Sequence, residues 1–304
     1  MKALRIHERG GADLLVLEEV PEPQHVTGDV VVGVGAASFV PDELDWPGTW
    51  TNRAGQDRTP SVPGHEVAGI VTEVHYGTTG FAVGDRVCGM TDWHRDGSMA
   101  EYVAVEARNL APLPAALDYV QGAALPLAGL TAWQGLFDHG NLQPGQTVLV
   151  HGAAGGTGSL IVQIAKDTGA HVIATGRARS ENLAKELGAD RFIDLALDPE
   201  LTGVGPVDLV FDTVGGPVLE HSAAVLKPGG TLVSITAPPP VTPPDGRAVF
   251  FIVEPNRDQL RKVLHLAEIG RLRAQVGAVY PLSEAKEAFL AKRNGVPGKI
   301  VVTT

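Results

Sequence analysis

The sequence predicts an α/β protein in which a β-rich domain accompanies a doubly wound parallel sheet. Up to about residue 112, short strand patterns such as 29–33 and 67–74 are separated by glycine and proline. From residue 147 onward, strand and helix patterns alternate, which is typical of parallel strands joined by crossover helices. A helical pattern over 117–139, interrupted by Pro126 and Gly129, connects the two regions. Two domains are therefore expected.

The predicted elements follow this division. Further strands of the first domain are expected at 85–88 and 102–105. The strands predicted for the parallel sheet are 147–150, 171–175, 192–194, 207–212, 231–234 and 248–253. Helices are predicted at 217–226 and 257–269, and the tail is expected to contain a helix near 283–292 and a terminal strand at 299–302.

Composition and charge exclude several classes of protein. The chain has 304 residues and a net charge of −11, and its cations are scattered among carboxylates, which argues against nucleic acid binding. The start MKALRIHERG lacks the apolar stretch of a signal peptide. The longest apolar run, 123–137, is broken by Pro126 and is too short for a membrane helix. We expect a cytoplasmic protein with no membrane partner.

A glycine-rich turn follows the strand at 147–150. Gly152, Gly155 and Gly158 have the spacing G-x-x-G-x-x-G and lead into a helical pattern that ends at Gly169. Such glycines permit a tight bend, and the amides at the start of the helix can bind a pyrophosphate. The residues expected to contact a dinucleotide are Gly152, Ala153, Ala154, Gly155, Gly156, Thr157 and Gly158. A purely structural glycine turn is the alternative.

The end of the next strand distinguishes between the two common dinucleotides. An NAD site needs a carboxylate there for the ribose hydroxyls, whereas a 2′-phosphate needs small residues and arginine. This stretch contains no carboxylate, and it reads Thr175, Gly176, Arg177, Ala178, Arg179 and Ser180. NADP(H) is therefore the predicted cofactor, unless Arg177 and Arg179 are ordinary surface cations.

Several segments together resemble one family. They are VPGHEVAGIV (62–71), FAVGDRVCGM (81–90), AALPLAGLTAWQGL (123–136), DTVGG (212–216) and GKIVV (298–302). These segments resemble the medium-chain dehydrogenase/reductase superfamily, and within it the zinc-free quinone oxidoreductase (zeta-crystallin-like) branch. The resemblance implies a GroES-like domain at 1–116 that is completed by 271–304. It also implies a Rossmann NADP(H)-binding domain at 117–270, an active site in the cleft between the domains, and a homodimer.

The same resemblance raises the question of zinc. Zinc-dependent relatives take their catalytic ligands from positions that match Val40, His65 and Leu127, and only His65 can bind a metal. The single cysteine, Cys88, rules out a four-thiolate structural site and is expected to be a small buried hydrophobe. The sequence therefore predicts no bound metal.

A zinc-free site favours particular chemistry. Alcohol oxidation requires a Lewis acid, whereas a quinone or an α,β-unsaturated carbonyl delocalises the charge that arrives with hydride. We therefore expect an NADPH-dependent quinone or enone oxidoreductase that acts on a small molecule. An enoyl thioester reductase, a zinc alcohol dehydrogenase with unusual ligands and a non-catalytic NADPH-binding sensor remain alternatives.

The substrate pocket is predicted only in outline, and no residue is assigned as catalytic. Its candidates are Val40, Trp46, His65 and Thr131, although the asparagine and arginine that line this pocket in relatives are missing. Trp46 either stacks on a flat substrate or packs internally. His65 either donates a proton or orients water, or is simply a hydrogen-bonded structural residue. The counterpart of Thr131 contacts the nicotinamide side of the cofactor in relatives.

Further cofactor contacts are expected where later strands end. By the resemblance, the main chain near residues 250 and 251 would hold the nicotinamide amide, and the strand ends near 212 and 234 would approach the ribose. The residues concerned are Asp212, Thr213, Val214, Ser234, Ile235, Thr236, Phe250 and Phe251.

Overall fold

The structure is a computed structural model that describes residues 1–40 and 42–304. The chain forms two compact units. Unit 1 comprises Met1–Leu127, Pro255–Ile269 and Ala274–Thr304, and unit 2 comprises Ala128–Glu254 and Gly270–Arg273. Among the described residues, no helix has the length and apolar character needed to cross a membrane.

Strands and helices are numbered in chain order. The strands are β1 (Lys2–Ile6), β2 (Leu15–Glu19), β3 (Asp29–Ser38), β4 (Glu66–Val74), β5 (Arg86–Met90), β6 (Tyr102–Glu106), β7 (Leu110–Pro112), β8 (Thr147–His151), β9 (His171–Gly176), β10 (Arg191–Asp194), β11 (Val207–Asp212), β12 (Leu226–Ser234), β13 (Arg247–Phe250), β14 (Val276–Pro281) and β15 (Lys299–Thr303). The helices are α1 (Pro47–Trp50), α2 (Tyr119–Ala124), α3 (Pro126–Trp133), α4 (Gly158–Asp167), α5 (Glu181–Glu186), α6 (Pro217–His221), α7 (Arg257–Glu268) and α8 (Ala285–Arg293).

Unit 1 is built on a seven-stranded sheet with the order β14-β15-β3-β4-β5-β7, in which β6 also pairs with β3. A separate pair, β1 with β2, is antiparallel. The apolar run of β3 explains its central place, because eight of its ten residues are buried and it pairs with β4, β6 and β15. The predicted β-rich first domain is confirmed, and β3 extends beyond the predicted 29–33.

Unit 2 contains a six-stranded parallel sheet with the order β10-β9-β8-β11-β12-β13. Successive strands add outward from β8 on one side through β9 and β10, and on the other side through β11, β12 and β13. The topological switch point therefore lies between β8 and β11, where open parallel sheets bind their ligands. The predicted doubly wound sheet is confirmed.

Some predicted elements differ in detail. The helical pattern over 117–139 forms α2 and α3, with a break before Pro126 and none at Gly129, and its last six residues form a π-helix. Proline begins α3 because the first residue of a helix needs no amide donor. The predicted helix at 217–226 splits into α6 and a 3-10 turn, Ser222–Val225. Strands β1, β2, β7 and β14 and helices α1 and α5 were not predicted.

The two compact units do not coincide with the predicted ranges at every boundary. Residues 117–127 and 255–269 were assigned to the Rossmann domain, and they lie in unit 1. Helix α2 packs on β3 and β4, and the first residue of α7, Arg257, donates hydrogen bonds to the carbonyls of Leu110 and Ala107. These contacts hold both segments on the β-rich sheet.

Candidate active site

The glycine turn in unit 2 lies at the switch point of the parallel sheet. Gly152 has φ +75°, a conformation that side chains disfavour. A Cβ on Gly158 would lie 2.1 Å from the carbonyl oxygen of Gly152, so the start of α4 approaches the end of β8 too closely for any larger residue. The turn thus directs the N-terminus of a ten-residue helix toward the carboxyl edge of the sheet. Such a helix end attracts phosphate.

The structure brings the end of β11 to this turn. A Cβ on Gly152 would meet Thr213 Oγ1 at 2.5 Å and a methyl carbon of Val214 at 2.9 Å. Thr213 also donates a hydrogen bond to the carbonyl of His151, at 2.7 Å. Three of the predicted cofactor residues, Gly152, Thr213 and Val214, therefore lie side by side.

The carboxylate of Asp212 is fully buried and is used within the protein. It accepts hydrogen bonds from the backbone N–H groups of Val214 (3.1 Å) and Gly215 (3.0 Å). It also accepts hydrogen bonds from the hydroxyls of Ser234 (3.0 Å) and Thr236 (2.9 Å). These bonds hold the ends of β11 and β12 in fixed positions. Any contact of Asp212 or Ser234 with a cofactor is therefore left to the main chain.

His151 is a residue of this site that sequence reasoning missed. Its ring is fully buried between Thr175 Oγ1, at 2.8 Å from Nδ1, and Ser222 Oγ, at 3.0 Å from Nε2. Ser222 donates its own proton to the carbonyl of Val218, so it accepts from His151 Nε2–H, and Thr175 donates to Nδ1. Burial lowers the pKa of His151 to about 4, although nearby Asp212 raises it. The imidazole is neutral, and the Thr175 hydroxyl is committed to it.

The arginines predicted to select the cofactor lie just beyond β9. Arg177 and Arg179 are exposed, and Arg177 precedes a 3-10 turn, Ala178–Ser180. The first carboxylate after them, Glu181, is paired with Lys185 at 2.6 Å. Within residues 1–40 and 42–304, neither arginine forms a salt bridge. Both guanidinium groups are therefore available to an anion.

The last predicted cofactor residues surround the end of β13. Phe250 is 40% exposed, whereas Phe251 is buried and its ring lies 4.4 Å from that of His139. The Phe251 N–H donates to the carbonyl of Ser234 at 3.3 Å, and the Ile235 N–H donates to that of Asp212 at 3.2 Å. The side chain of Phe251 thus belongs to the core of unit 2.

In unit 1, three aromatic rings form one cluster. Trp46 stacks on His65 with ring centroids 5.9 Å apart, and Trp93 meets both rings edge-on, at 4.9 Å from Trp46 and 5.0 Å from His65. Both tryptophans are half-buried, whereas His65 is buried. His65 Nδ1 lies 2.9 Å from Thr91 Oγ1, and burial lowers the pKa of His65 to about 3. His65 is therefore a neutral imidazole at neutral pH.

Zinc does not fit the positions that match the catalytic ligands of zinc-dependent relatives. Val40 and Leu127 offer no ligand atom, and Nδ1 of His65 is hydrogen-bonded to Thr91. The carboxylate that follows His65 is also engaged, because Glu66 forms a buried ion pair with Lys299 and accepts the N–H of Leu127 at 3.0 Å. Burial also raises the pKa of the Cys88 thiol well above its usual range, as expected for an inert core residue.

Glu43 is a second residue that sequence reasoning did not single out. Its buried carboxyl group accepts the N–H of Gly64 at 2.6 Å and that of Val40 at 3.2 Å. It therefore links Val40 to the segment that carries His65. Burial raises the pKa of Glu43 to about 8, against the lowering effect of these two hydrogen bonds. Thr131, the remaining predicted pocket residue, is buried in α3 of unit 2.

The comparisons with known proteins identify the family. Residues 26–115 match the alcohol dehydrogenase GroES-like domain, and residues 187–302 match the zinc-binding dehydrogenase domain. The chain is 34% identical over 315 residues to an NADPH-dependent alkenal/one oxidoreductase of Arabidopsis thaliana, covering 99% of this chain and 79% of that protein. It is 34% identical over 321 residues to a 2-methylene-furan-3-one reductase of Solanum lycopersicum, with the same coverage. A quinone oxidoreductase from Coxiella burnetii has the same fold, with a TM-score of 0.91 and 30% identity over 100% of this chain and 99% of that one.

The chain belongs to the medium-chain dehydrogenase/reductase superfamily. It is an oxidoreductase of a family that binds nicotinamide dinucleotides, and it lies in the zinc-free quinone oxidoreductase branch. The predicted family, fold and enzyme class are thereby confirmed. The individual cofactor and pocket residues stay predictions.

The buried Glu43 predicts a pH-dependent stability. A carboxyl group whose pKa is higher in the folded than in the unfolded protein stabilises the fold at low pH, and this stabilisation is lost as the pH rises toward the folded pKa. Relative to E43Q, the free energy of unfolding of the unaltered protein should therefore fall by up to about 1.4 kcal/mol per pH unit between about pH 5 and about pH 8.

Urea unfolding followed by tryptophan fluorescence measures this difference, because Trp46, Trp50 and Trp93 all lie in unit 1. Asp45 lies in the same 3-10 turn as Glu43 and is exposed, so D45N serves as the matched control and should leave the pH dependence unchanged. A constant difference between E43Q and the unaltered protein across this pH range would show that Glu43 does not titrate within it.

Proposed function

We propose that this enzyme transfers hydride from NADPH to a quinone or an α,β-unsaturated carbonyl compound without a catalytic metal ion. The observation that carries the proposal is the glycine turn at the switch point, together with two exposed arginines and no carboxylate at the end of β9. The names of the relatives, alkenal/one oxidoreductase and quinone oxidoreductase, support the same acceptor class.

The positive charge of Arg177 and Arg179, just after the end of β9, supports NADPH over NADH as the coenzyme. A ribose 2′-phosphate is a doubly charged anion that gains from a guanidinium, whereas two ribose hydroxyls gain from a carboxylate. Arg177 and Arg179 supply the first kind of partner. The carboxylate of Glu181, which follows both arginines in the sequence, forms a salt bridge with Lys185.

The cluster of Trp46, His65 and Trp93 supports a flat acceptor. Half-buried indole rings provide apolar walls for a conjugated molecule. His65 is neutral, so it carries no charge that would have to be desolvated when such a molecule enters. Nδ1 of His65 is used by Thr91, whose hydroxyl donates to the carbonyl of Gly64, so Nε2 remains as an acceptor that suits a hydrogen bond from a water molecule or a hydroxyl group.

NADPH supplies the hydride, and the chain supplies binding and orientation. The glycine turn and the N-terminus of α4 hold the pyrophosphate, and the main chain at 212–214, 234–236 and 250–251 lies along the carboxyl edge of the same sheet. Delocalisation in the acceptor spreads the arriving negative charge, so no Lewis acid is needed. Three points stay predictions: that Thr131 contacts the nicotinamide, that the protein is a homodimer and that it is cytoplasmic.

The acceptor class is tested by following NADPH oxidation with a panel of quinones, enals, enones and acyl thioesters, with and without a chelator. Turnover is expected with quinones or enones and should be unaffected by the chelator. Preference for thioesters would favour an enoyl thioester reductase. Binding of NADPH without any turnover would favour a sensor, and loss of activity with the chelator would contradict the metal-free mechanism.

The arginines make a second prediction. R177A should raise KM for NADPH at least about tenfold and change KM for NADH by much less, because only NADPH carries the 2′-phosphate. Steady-state kinetics with both coenzymes measures this. R273A removes another exposed arginine of unit 2 and is the control, with no change expected. If R177A and the double variant R177A/R179A affect both coenzymes equally, the arginines do not bind the 2′-phosphate.

A further inference from the structure

Unit 1 contains a group of metal-ligating side chains that the proposed reaction does not use. It consists of His25, Glu73 and His75, whose ligand atoms all lie within 4.8 Å of one another. In the part of the chain that the structure describes, this is the one group of three histidine, cysteine or carboxylate side chains with such spacing. It involves none of the positions that match the catalytic zinc ligands.

The strand geometry explains why these side chains meet. Glu73 is the next-to-last residue of β4. His75 directly follows the strand, two residues after Glu73, so its side chain continues on the same face of the sheet. The N–H of His75 bonds to the carbonyl of Asp29 at 3.2 Å, which keeps His75 next to β3. The ring of His25 stacks on that of His75, with centroids 3.2 Å apart and an interplanar angle of 16°.

His75 Nε2 is a buried atom without a hydrogen-bond partner among the described residues. The nearest carboxylate oxygen, Oε2 of Glu73, lies 3.5 Å away. An unpaired buried nitrogen costs free energy, and native structures rarely leave one without a reason. A ligand that accepts electron density from Nε2 would remove this cost.

The segment that carries His25 is held on both sides by the ion pair of Arg95 with the buried Asp29. Arg95 binds both carboxylate oxygens of Asp29, at 2.6 and 3.1 Å, and also donates to the carbonyl of Gln24 at 3.4 Å. Asp29 in turn accepts the N–H of Val26 at 2.8 Å. The residues before and after His25 are thus fixed, and the imidazole is placed beside His75 before any ligand arrives.

We propose that His25, Glu73 and His75 form a binding site for a divalent transition metal ion of the Zn²⁺ type, with water completing the coordination. Two imidazoles and one carboxylate are the ligand set that Zn²⁺ accepts, whereas Mg²⁺ and Ca²⁺ prefer oxygen ligands alone. Ligand atoms of a tetrahedral Zn²⁺ site lie about 3.3 Å apart, given bond lengths of about 2.0 Å. A ring nitrogen binds a metal in the plane of its ring, so the exposed His25 has to turn out of its stack on His75 before both imidazoles can bind one ion. The ion would tie the loop before β3 to the end of β4.

The test is isothermal titration calorimetry of the chelator-treated 304-residue protein with Zn²⁺. One ion per chain is expected, and H75A should raise Kd at least tenfold. His171 is an exposed histidine whose Nδ1 lies 3.2 Å from a carboxylate oxygen of Asp190. It does not belong to the group of His25, Glu73 and His75. H171A is therefore the matched control and should bind Zn²⁺ like the unaltered protein. Mg²⁺ should give no comparable heat.

Thermal unfolding provides a second readout. Zn²⁺ should raise the midpoint of the unaltered protein and of H171A, and should not raise that of H75A or of H25A. H25A changes an exposed side chain in a loop, so it keeps the test valid if H75A does not fold. Equal Zn²⁺ affinity in H25A, H75A and the unaltered protein, or no binding to any of them, would overturn the proposal. Activity with NADPH should be unchanged in H25A, so this outcome is independent of the proposed reaction.

Discussion

The close approach of Gly158 to the carbonyl of Gly152 is the constraint on which the cofactor site depends. Gly158 must lack a side chain because a Cβ there would meet the carbonyl oxygen of Gly152. Gly152 must lack one because its φ is positive and a Cβ there would meet Thr213. Because β8 lies between β9 and β11, the same turn faces the ends of both neighbours. On the β11 side of the turn, hydrogen bonds to the buried carboxylate of Asp212 hold the end of β11 against the end of β12.

In unit 1, buried polar groups surround the cluster of Trp46, His65 and Trp93. Glu66 and Lys299 pair in the core, Glu43 binds the N–H groups of Val40 and Gly64, and His65 binds Thr91. Each group has a partner, which is what makes burial of so many polar atoms tolerable. Val40 and Leu127, which match two of the zinc ligands of relatives, are apolar side chains.

Much of this could be predicted from the sequence, because the signals are local. The glycine spacing, the strand and helix periods and the lack of a carboxylate after β9 each involve a few neighbouring residues. The contacts of His151 with Thr175 and Ser222 could not, since they join residues far apart in the chain through one buried ring. The contact of Glu43 with the N–H of Gly64 could not be predicted either, because it joins two distant points of the segment between β3 and β4. The break before Pro126 was predictable, whereas Gly129 continues a helix because α3 is buried on most sides.

In the proposed reaction, hydride passes from NADPH to an activated acceptor without help from a bound ion. The decisive experiment is a single turnover of metal-depleted enzyme with an enone and NADPH that carries deuterium at both C4 positions of the nicotinamide, followed by mass spectrometry of the product. We expect the product to carry one deuterium at the β-carbon. Product without deuterium, or deuterium transfer only after Zn²⁺ is restored, would contradict it.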